Sequence, residues 1–306
     1  MSRPIASGRF TVEAMTTALN HIAGHLRVSA DDARLLNLTN NAVFALPAAG
    51  IVVRISRTRQ LFDRATKVAA LGAWFSDTDA PTIRLLPDVK QPLTVDGTAA
   101  TVWIYLPPRP PAPTIEDLGH VLRRFHQLPC PPIELPVWDP VGDAQRRITD
   151  AEGLTDGHRD LLLAWCDRLA PRIDAFRGST SAGLIHGDAH PGNLLRNANG
   201  NPVLCDFDAT TLGPRQVDLV AVPVGEARFH RHGQYRRLAT AYGYDVTTDP
   251  HWPLLREARE LKMIVAAVPR LHSSPGVADE FALRLHTITS GDEHTRWTPF
   301  ADLPHQ

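Results

Sequence analysis

The sequence predicts an α+β fold in two lobes, the first β-rich and the second mainly helical. Runs of β-branched residues crowd the first part of the chain, a proline-dense stretch follows, and beyond it apolar residues recur at helical intervals. Val12, Met15, Leu19, Ile22 and Leu26 fall three or four apart, which gives an amphipathic opening helix. Between residues 37 and 57 the period changes: Asn40-Asn41 separates short apolar runs, and Ile51-Val52-Val53-Arg54-Ile55 has strand composition, so a two-stranded hairpin is predicted. Leu61, Ala65, Val68, Gly72 and Phe75 restore a helical face, and strands return around 83–86, 93–95 and 100–106. Prolines at 107, 108, 110, 111 and 113 make a stiff, extended connector. The chain thus divides into an N-terminal lobe over 1–106, a linker over 107–113 and a C-terminal lobe over 114–306. In the last, Leu118, Val121, Leu122 and Phe125 mark one helix and residues 157–176 another, and the final third reads as largely helical.

Composition excludes several classes. A chain of 306 residues can bury a sizeable core, and its formal net charge of −1 leaves no polybasic footprint for nucleic acid or an anionic membrane. No uninterrupted apolar run approaches the ~18 residues of a membrane span, and the first residues lack a secretory apolar core, so a soluble, cytoplasmic protein is expected. Cys130, Cys166 and Cys205 are odd in number and show no metal-binding spacing, so they are read as reduced, mostly buried and inert.

The stretch His186 to Asp208, HGDAHPGNLLRNANGNPVLCDFD, carries the chemistry. Asn199-Gly200 is a strong hairpin signal, with Leu194 and Leu195 running in and Val203 and Leu204 running out. If those two residues are the centre of a two-residue loop, Asn193 lies directly opposite Asp206. Opposed Cβ atoms sit about 4.5–5.5 Å apart, so an amide oxygen and a carboxylate would converge on one cation. Such donors suit Mg²⁺, which takes one or two carboxylates and completes its shell with water and phosphate oxygens. Asp188, five residues before Asn193, could receive the proton of an attacking hydroxyl.

His186, Gly187, Asp188, Asn193 and Asp206 together resemble the pattern of the kinase-like aminoglycoside and choline phosphotransferases. The order of lobe, linker, helix LGHVLRRFHQLP and catalytic loop resembles that family over most of the chain. The resemblance implies a two-lobed protein-kinase-like fold and a small-molecule kinase that uses ATP as co-substrate, Mg²⁺ as cofactor and a small hydroxyl compound as acceptor. It implies Asp188 as base or hydroxyl orienter, Asn193 and Asp206 as metal ligands, His186 as loop support and Asp218 as a structural acid that caps and braces the following helix. Adenine would lie between the lobes and pair with the linker backbone, for which Trp103, Ile104, Tyr105 and Leu106 are the candidates. No nucleic-acid or membrane partner is expected.

The sequence departs from the pattern around the phosphates. Arg54 occupies the strand position where a lysine is expected. Its planar fork suits phosphate oxygens, and the alternative is a strand-edge charge in solvent. Lys67 stands where the helix should carry Glu, with Asp63 one turn earlier as an i,i+4 partner. Asp208 replaces the usual glycine of the acidic triplet and is read as facing solvent. With no GxGxxG loop, Asn40 and Asn41 are the candidates to cover the phosphates, the alternative being a plain hairpin turn. His120 and His126 have no acidic partner at a suggestive spacing and are read as packing or surface residues, as is His190 in its loop.

Residues 226–306 hold ten acidic and ten basic residues, which argues against a polycationic acceptor and leaves a neutral metabolite or a less basic antibiotic open. Two other readings remain: a catalytically weak pseudokinase, favoured by Arg54 and Lys67, and a metal-dependent hydrolase built on His186-x-Asp188-x-His190.

Overall fold

A computed structural model describes residues 11–38, 41–56, 62–229, 232–272, 274–300 and 302–303. In chain order its first half runs α1 (Val12–Leu26), β1 (Arg34–Leu38), β2 (Asn41–Leu46), β3 (Ile51–Ser56), α2 (Phe62–Asp77), β4 (Leu93–Val95), β5 (Thr98–Ile104), α3 (Ile115–Phe125), α4 (Pro140–Thr149) and α5 (Asp156–Ser179). The second half runs β6 (Gly183–Ile185), β7 (Leu194–Arg196), β8 (Pro202–Leu204), β9 (Thr211–Gly213), α6 (Ala221–Arg228), α7 (Gln234–Tyr242), α8 (Trp252–Val265) and α9 (Pro275–Thr289). Two compact units result: residues 1–113 with 131–134 and 193–208, and residues 114–130 with 135–192 and 209–306.

The first unit is built on a five-stranded antiparallel sheet ordered β1-β2-β3-β5-β4. Alternation in β3 buries Ile51, Val53 and Ile55, against which Met15, Leu19, Ile22 and Ala23 of α1 pack. Val52 and Arg54 therefore point to the opposite face. Thr11 caps α1 by accepting the Ala14 N–H at 3.2 Å. Residues 83–86 do not lengthen into the expected strand; they meet β5 through Leu86 N–H to Val102 and Ile104 N–H to Arg84. Pro81 and Pro87 bracket the segment and remove the donors that would extend the ladder.

The β7–β8 hairpin belongs to this unit, held by Ile83 N–H to Leu204 O and Leu204 N–H to Pro81 O, both 2.9 Å. Its register differs by one residue from the expected one: Leu194 faces Leu204 and Leu195 faces Val203. The cause is a three-residue loop. Asn197 N–H donates to Asn201 O at 2.9 Å, and the Asn197 Oδ1 accepts the N–H groups of Asn199 and Asn201, leaving Gly200 at φ 79. Asn193 is thereby set against Cys205, whose N–H it accepts at 3.0 Å, rather than against Asp206.

The second unit is largely helical, with the short β6–β9 pair inside it. A capping box at Thr114 and Asp117 starts α3, which buries Leu118, Val121, Leu122 and Phe125. Helix α4 has no counterpart in the periodicity reading. It is short and polar, and its sequence mark is Asp139 followed by Pro140, an N-cap and first-turn proline. Helix α5 buries Leu162, Trp165, Leu169, Ile173 and Phe176, and α8 buries Leu254, Leu255, Leu261 and Ile264. Among the described residues no helix is long and apolar enough to cross a membrane.

Candidate active site

In the first unit, β8 stops at Leu204 and the chain turns through Asp206 in a left-handed conformation, φ 64. Phe207 is buried beside Phe75, at 4.8 Å between ring centroids, and Trp103, at 6.0 Å. This aromatic anchor fixes the two acids that flank it. Asp206 keeps 51% of its side chain exposed, while Asp208 keeps 17%. The expectation that Asp208 faces solvent is thus overturned, because β3 brings a cation to it.

Arg54 bridges the two acids: its Nη2 is 3.3 Å from Asp206 Oδ1 and also bonds Asp208 Oδ2. Asn41 donates to the same Asp208 oxygen at 3.1 Å, Arg64 of α2 lies 3.9 Å from it, and Lys67 donates to the Asp208 backbone carbonyl at 2.7 Å. Burial would raise the Asp208 pKa, but the charge and hydrogen bond of Arg54, with Arg64 and Asn41, hold it below the usual carboxylate range. Arg54 is therefore neither a solvent-exposed charge nor turned outward. Lys67, where an acidic partner for the strand cation was expected, ties α2 to the acidic segment instead. Asn40 lies outside the described residues, and Asn41 serves Asp208 from β2.

Asn193 is buried, and its backbone is bonded to the residue before Asp206. The Asp208 Oδ1 is buried without a hydrogen-bond partner among the described residues. An orphaned Asp208 oxygen two residues from the accessible Asp206, with Asn193 bonded through its backbone to the residue between the strand and that acid, supplies hard-oxygen donors of the kind that fit Mg²⁺. Ile104 is exposed, but its N–H is used by Arg84 O and that of Tyr105 by Gly50 O; Leu106 is half-buried.

In the second unit the loop after β6 is pinned from below. Buried Asp218 accepts the N–H groups of His186 and Gly187, each at 2.7 Å, and bonds His126 Nε2 at 2.9 Å. Burial would raise its pKa, but the hydrogen bond and charge of His126 and the His186 contacts lower it. Asp218 thus braces the loop itself rather than capping the next helix. His126, read from sequence as a packing residue, is its partner, and its Nδ1 meets the Tyr242 hydroxyl at 2.8 Å. Gly187 has φ 78, and a Cβ there would stand 2.1 Å from the Ala209 carbonyl oxygen, so only glycine allows this close turn. The His186 ring is fully buried, edge-on to Phe125, and its Nδ1 accepts the Asp188 N–H at 3.3 Å.

The loop presents Asp188, 37% exposed, to two cations from α8. Arg259 Nη1 and Lys262 Nζ both lie 3.1 Å from its Oδ1, and Lys262 also donates to Gly187 O at 2.8 Å. Burial pushes the Asp188 pKa up, but Lys262 and Arg259, with His190 behind them, hold it well below the usual carboxylate range. His190 Nε2 stands 3.9 Å from Oδ2. A zinc-type grouping of His186, Asp188 and His190 is not assembled: one ring is sealed in the core and the carboxylate already faces two cations. Arg259 and Lys262 are the site residues that sequence reasoning missed. Burial raises Cys166 to about 11 and Cys205 to about 12, which keeps both thiols protonated at neutral pH, whereas Cys130 is exposed.

Comparison with known proteins gives these arrangements a setting. The model of the phosphotransferase enzyme family (APH) matches residues 35–261. The structure of the GDP and kanamycin complex of APH(2")-IIia is 17% identical, with 90% of this chain and 99% of that one covered at a TM-score of 0.62. A choline/ethanolamine kinase family protein from Mesorhizobium loti is 15% identical over 91% of this chain and 96% of that one, TM-score 0.62. Aminoglycoside phosphotransferase APH(3'')-Id from Streptomyces rimosus is 16% identical over 81% and 98%, TM-score 0.59. No curated protein matches in sequence. At these identities the likeness is one of fold, and the fold is the protein-kinase-like one: a β-rich N-terminal part and a mainly helical C-terminal part.

Proposed function

We propose that this chain, which belongs to the phosphotransferase enzyme family, moves the γ-phosphoryl group of ATP to a hydroxyl of a small metabolite or antibiotic. The observation that carries the reading is Asp188, an accessible carboxylate on a loop braced by Asp218, in a chain that also gathers Asp206, Asp208 and Arg54 at one place. In this reading residues 1–106 form the nucleotide-binding lobe, 107–113 the linker and 114–306 the catalytic and acceptor-binding lobe.

Asp188 accepts a hydrogen bond from the acceptor hydroxyl and orients its oxygen for in-line attack. The new O–P bond forms as the bond from the γ-phosphorus to the bridging oxygen breaks, and ADP leaves. Because its pKa is depressed, Asp188 is a weak base; it acts first as an orienter, and the hydroxyl proton passes through it to solvent. Asn193 and Asp206, with the orphaned Asp208 oxygen, are the donors that would hold Mg²⁺, which when bound supplies screening of the phosphate charge. Arg54 sets the position and charge of the two acids. His186 and Asp218 hold the loop, and a structured loop matters because such transfers depend on positioning and electrostatics.

The test is Mg²⁺-dependent ADP release across a panel of hydroxylated metabolites and antibiotics, with mass spectrometry for an added phosphate. A phosphorylated product is expected, and absence of any Mg²⁺-dependent nucleotide turnover would overturn the reading. That outcome would favour a nucleotide-binding pseudokinase, for which the supporting observation is that Arg54, Arg64 and Lys67 already crowd the acidic segment.

A further inference from the structure

The charge around Asp188 exceeds what one carboxylate needs. Arg259 and Lys262 both bond its Oδ1. The next carboxylate acting on Lys262 is Asp143, which is itself paired with Arg146. Burial pushes the His190 imidazole down, toward its neutral form, so it is left out of the count. Arg259, Lys262 and Arg146 thus face Asp188 and Asp143, a surplus of one positive charge.

The donors are unspent as well. A guanidinium carries five N–H groups, yet the hydrogen bond of Arg259 among the described residues is the one to Asp188, and its buried Nε has no partner. Leaving such a donor unsatisfied is unfavourable, so the site gains when an acceptor reaches it. Lys262 spends two of its three donors, on Gly187 O and Asp188. The cavity of about 760 Å³ elsewhere in this unit, lined by Trp165, Trp252, Arg256, Glu257, Glu260 and Glu293, offers no such surplus. There Glu260 takes Arg228 and Arg256, Glu293 takes Arg256, and Glu257 takes Trp165 and Arg172.

Resting on the phosphotransfer reading, we infer that the hydroxyl acceptor is an anion, whose carboxylate or phosphate is held by Arg259 and Lys262 while Asp188 receives the hydroxyl. A polycation would meet two fixed positive groups at the carboxylate meant to orient it; an oxyanion would meet a bidentate fork and an ammonium. The nucleotide's own phosphates are the less favoured occupant, because Arg54, Arg64 and Lys67 already gather as cations with the acids of the other unit.

The test is calorimetry on the full chain with D-glycerate and glycerol 3-phosphate as anionic probes, glycerol as a neutral one, and choline and kanamycin as cationic ones. The anionic probes are expected to bind at least about tenfold more tightly than glycerol, and Arg259→Gln and Lys262→Gln each to remove about tenfold of that, with Lys262→Arg restoring most of it. Rising salt should weaken only the anionic probes. Tighter binding of choline or kanamycin, no saturable binding of either anionic probe, or an unchanged anionic affinity in folded variants would each overturn the inference. So would a loss of affinity for a non-hydrolysable ATP analogue as large as that for the anionic probes. An anionic probe that binds through these cations while no compound of the panel shows Mg²⁺-dependent phosphorylation strikes the phosphotransfer reading and leaves the anion site standing. Phosphorylation of a cationic compound alone does the reverse.

Discussion

The acidic segment 205–208 and the loop 186–190 present the same residue type with their cations arranged differently. In the first, two carboxylates share Arg54, with Arg64 and Lys67 adding contacts from α2. In the second, one carboxylate meets Arg259 and Lys262. Exposure divides the roles further: Asp208 is nearly enclosed, whereas Asp206 and Asp188 keep 51% and 37% of their side chains accessible. Asp208 is enclosed and held by cations, with one oxygen unpartnered among the described residues. In the proposed reading Asp206, with that oxygen, serves a metal ion, and Asp188 serves a hydroxyl beside donors left for an anion.

The sharpest way to break this contrast is to remove the loop's carboxylate. Asp188→Ala is expected to lower turnover by about 10²–10⁴-fold, the range for a positioned acid–base group, while leaving Mg-nucleotide affinity by calorimetry close to wild type. Retained turnover would transfer the role of orienter to another group. Asp218→Ala attacks the same loop from beneath. It strands two backbone donors and the His126 ring in a buried place, a loss of about 2–6 kcal/mol at about 1–3 for each backbone donor. Chemical denaturation should register it, and a midpoint unchanged from wild type would remove the brace assignment.

For the acidic segment the expected effect is smaller and lies on binding. Asp206→Ala should weaken Mg-nucleotide affinity at least about tenfold, since even groups that merely support metal ligands contribute about 10–100-fold. Equal affinity by calorimetry would count against Asp206 as a ligand. Acid offers a comparison of both regions at once. Asp188 and Asp208 have pKa values held below the ordinary ~4 of unfolded aspartate. Their ionised forms therefore stabilise the fold above that value, and this contribution is lost as pH falls below it toward the depressed values. Melting temperature should stay level from neutral pH to about 5 and fall below about 4, and Asp188→Asn and Asp208→Asn should each make the fall shallower. An undiminished fall in both variants would show that other carboxylates govern it.

What the sequence made legible was local. Helix α1 was visible because Met15, Leu19 and Ile22 keep helical spacing, and β3 because Ile51, Val53 and Ile55 alternate. The contacts that define each acid's surroundings were not, since they join residues far apart in the chain: Arg54 with Asp206 across 152 positions, His126 with Asp218 across 92, Arg259 with Asp188 across 71. No spacing rule reports such pairs; only the packed fold does. Lys67 shows the same limit. Its i,i+4 neighbour Asp63 was readable, but the Asp208 carbonyl it reaches was not.

The hairpin that delivers Asp206 and Asp208 yields the smallest expected effect. A two-residue turn centred on Asn199-Gly200 would set Asn193 opposite Asp206, and a one-residue slip moves every side chain of a strand to its other face. The structure takes the slip in a three-residue loop and then re-aims the chain with the left-handed Asp206. Gly200 is the residue that permits this, at φ 79 with open space where a Cβ would be, so the strain in Gly200→Ala is conformational and not steric crowding. Its cost should be about 1–2 kcal/mol, the penalty of an L-residue in that region, whereas Gly200→Asn should cost less because asparagine tolerates it. Denaturant midpoints ordered wild type, then asparagine, then alanine would support a left-handed residue 200. An alanine variant as stable as wild type would show that residue 200 does not need that conformation and would overturn the loop as described.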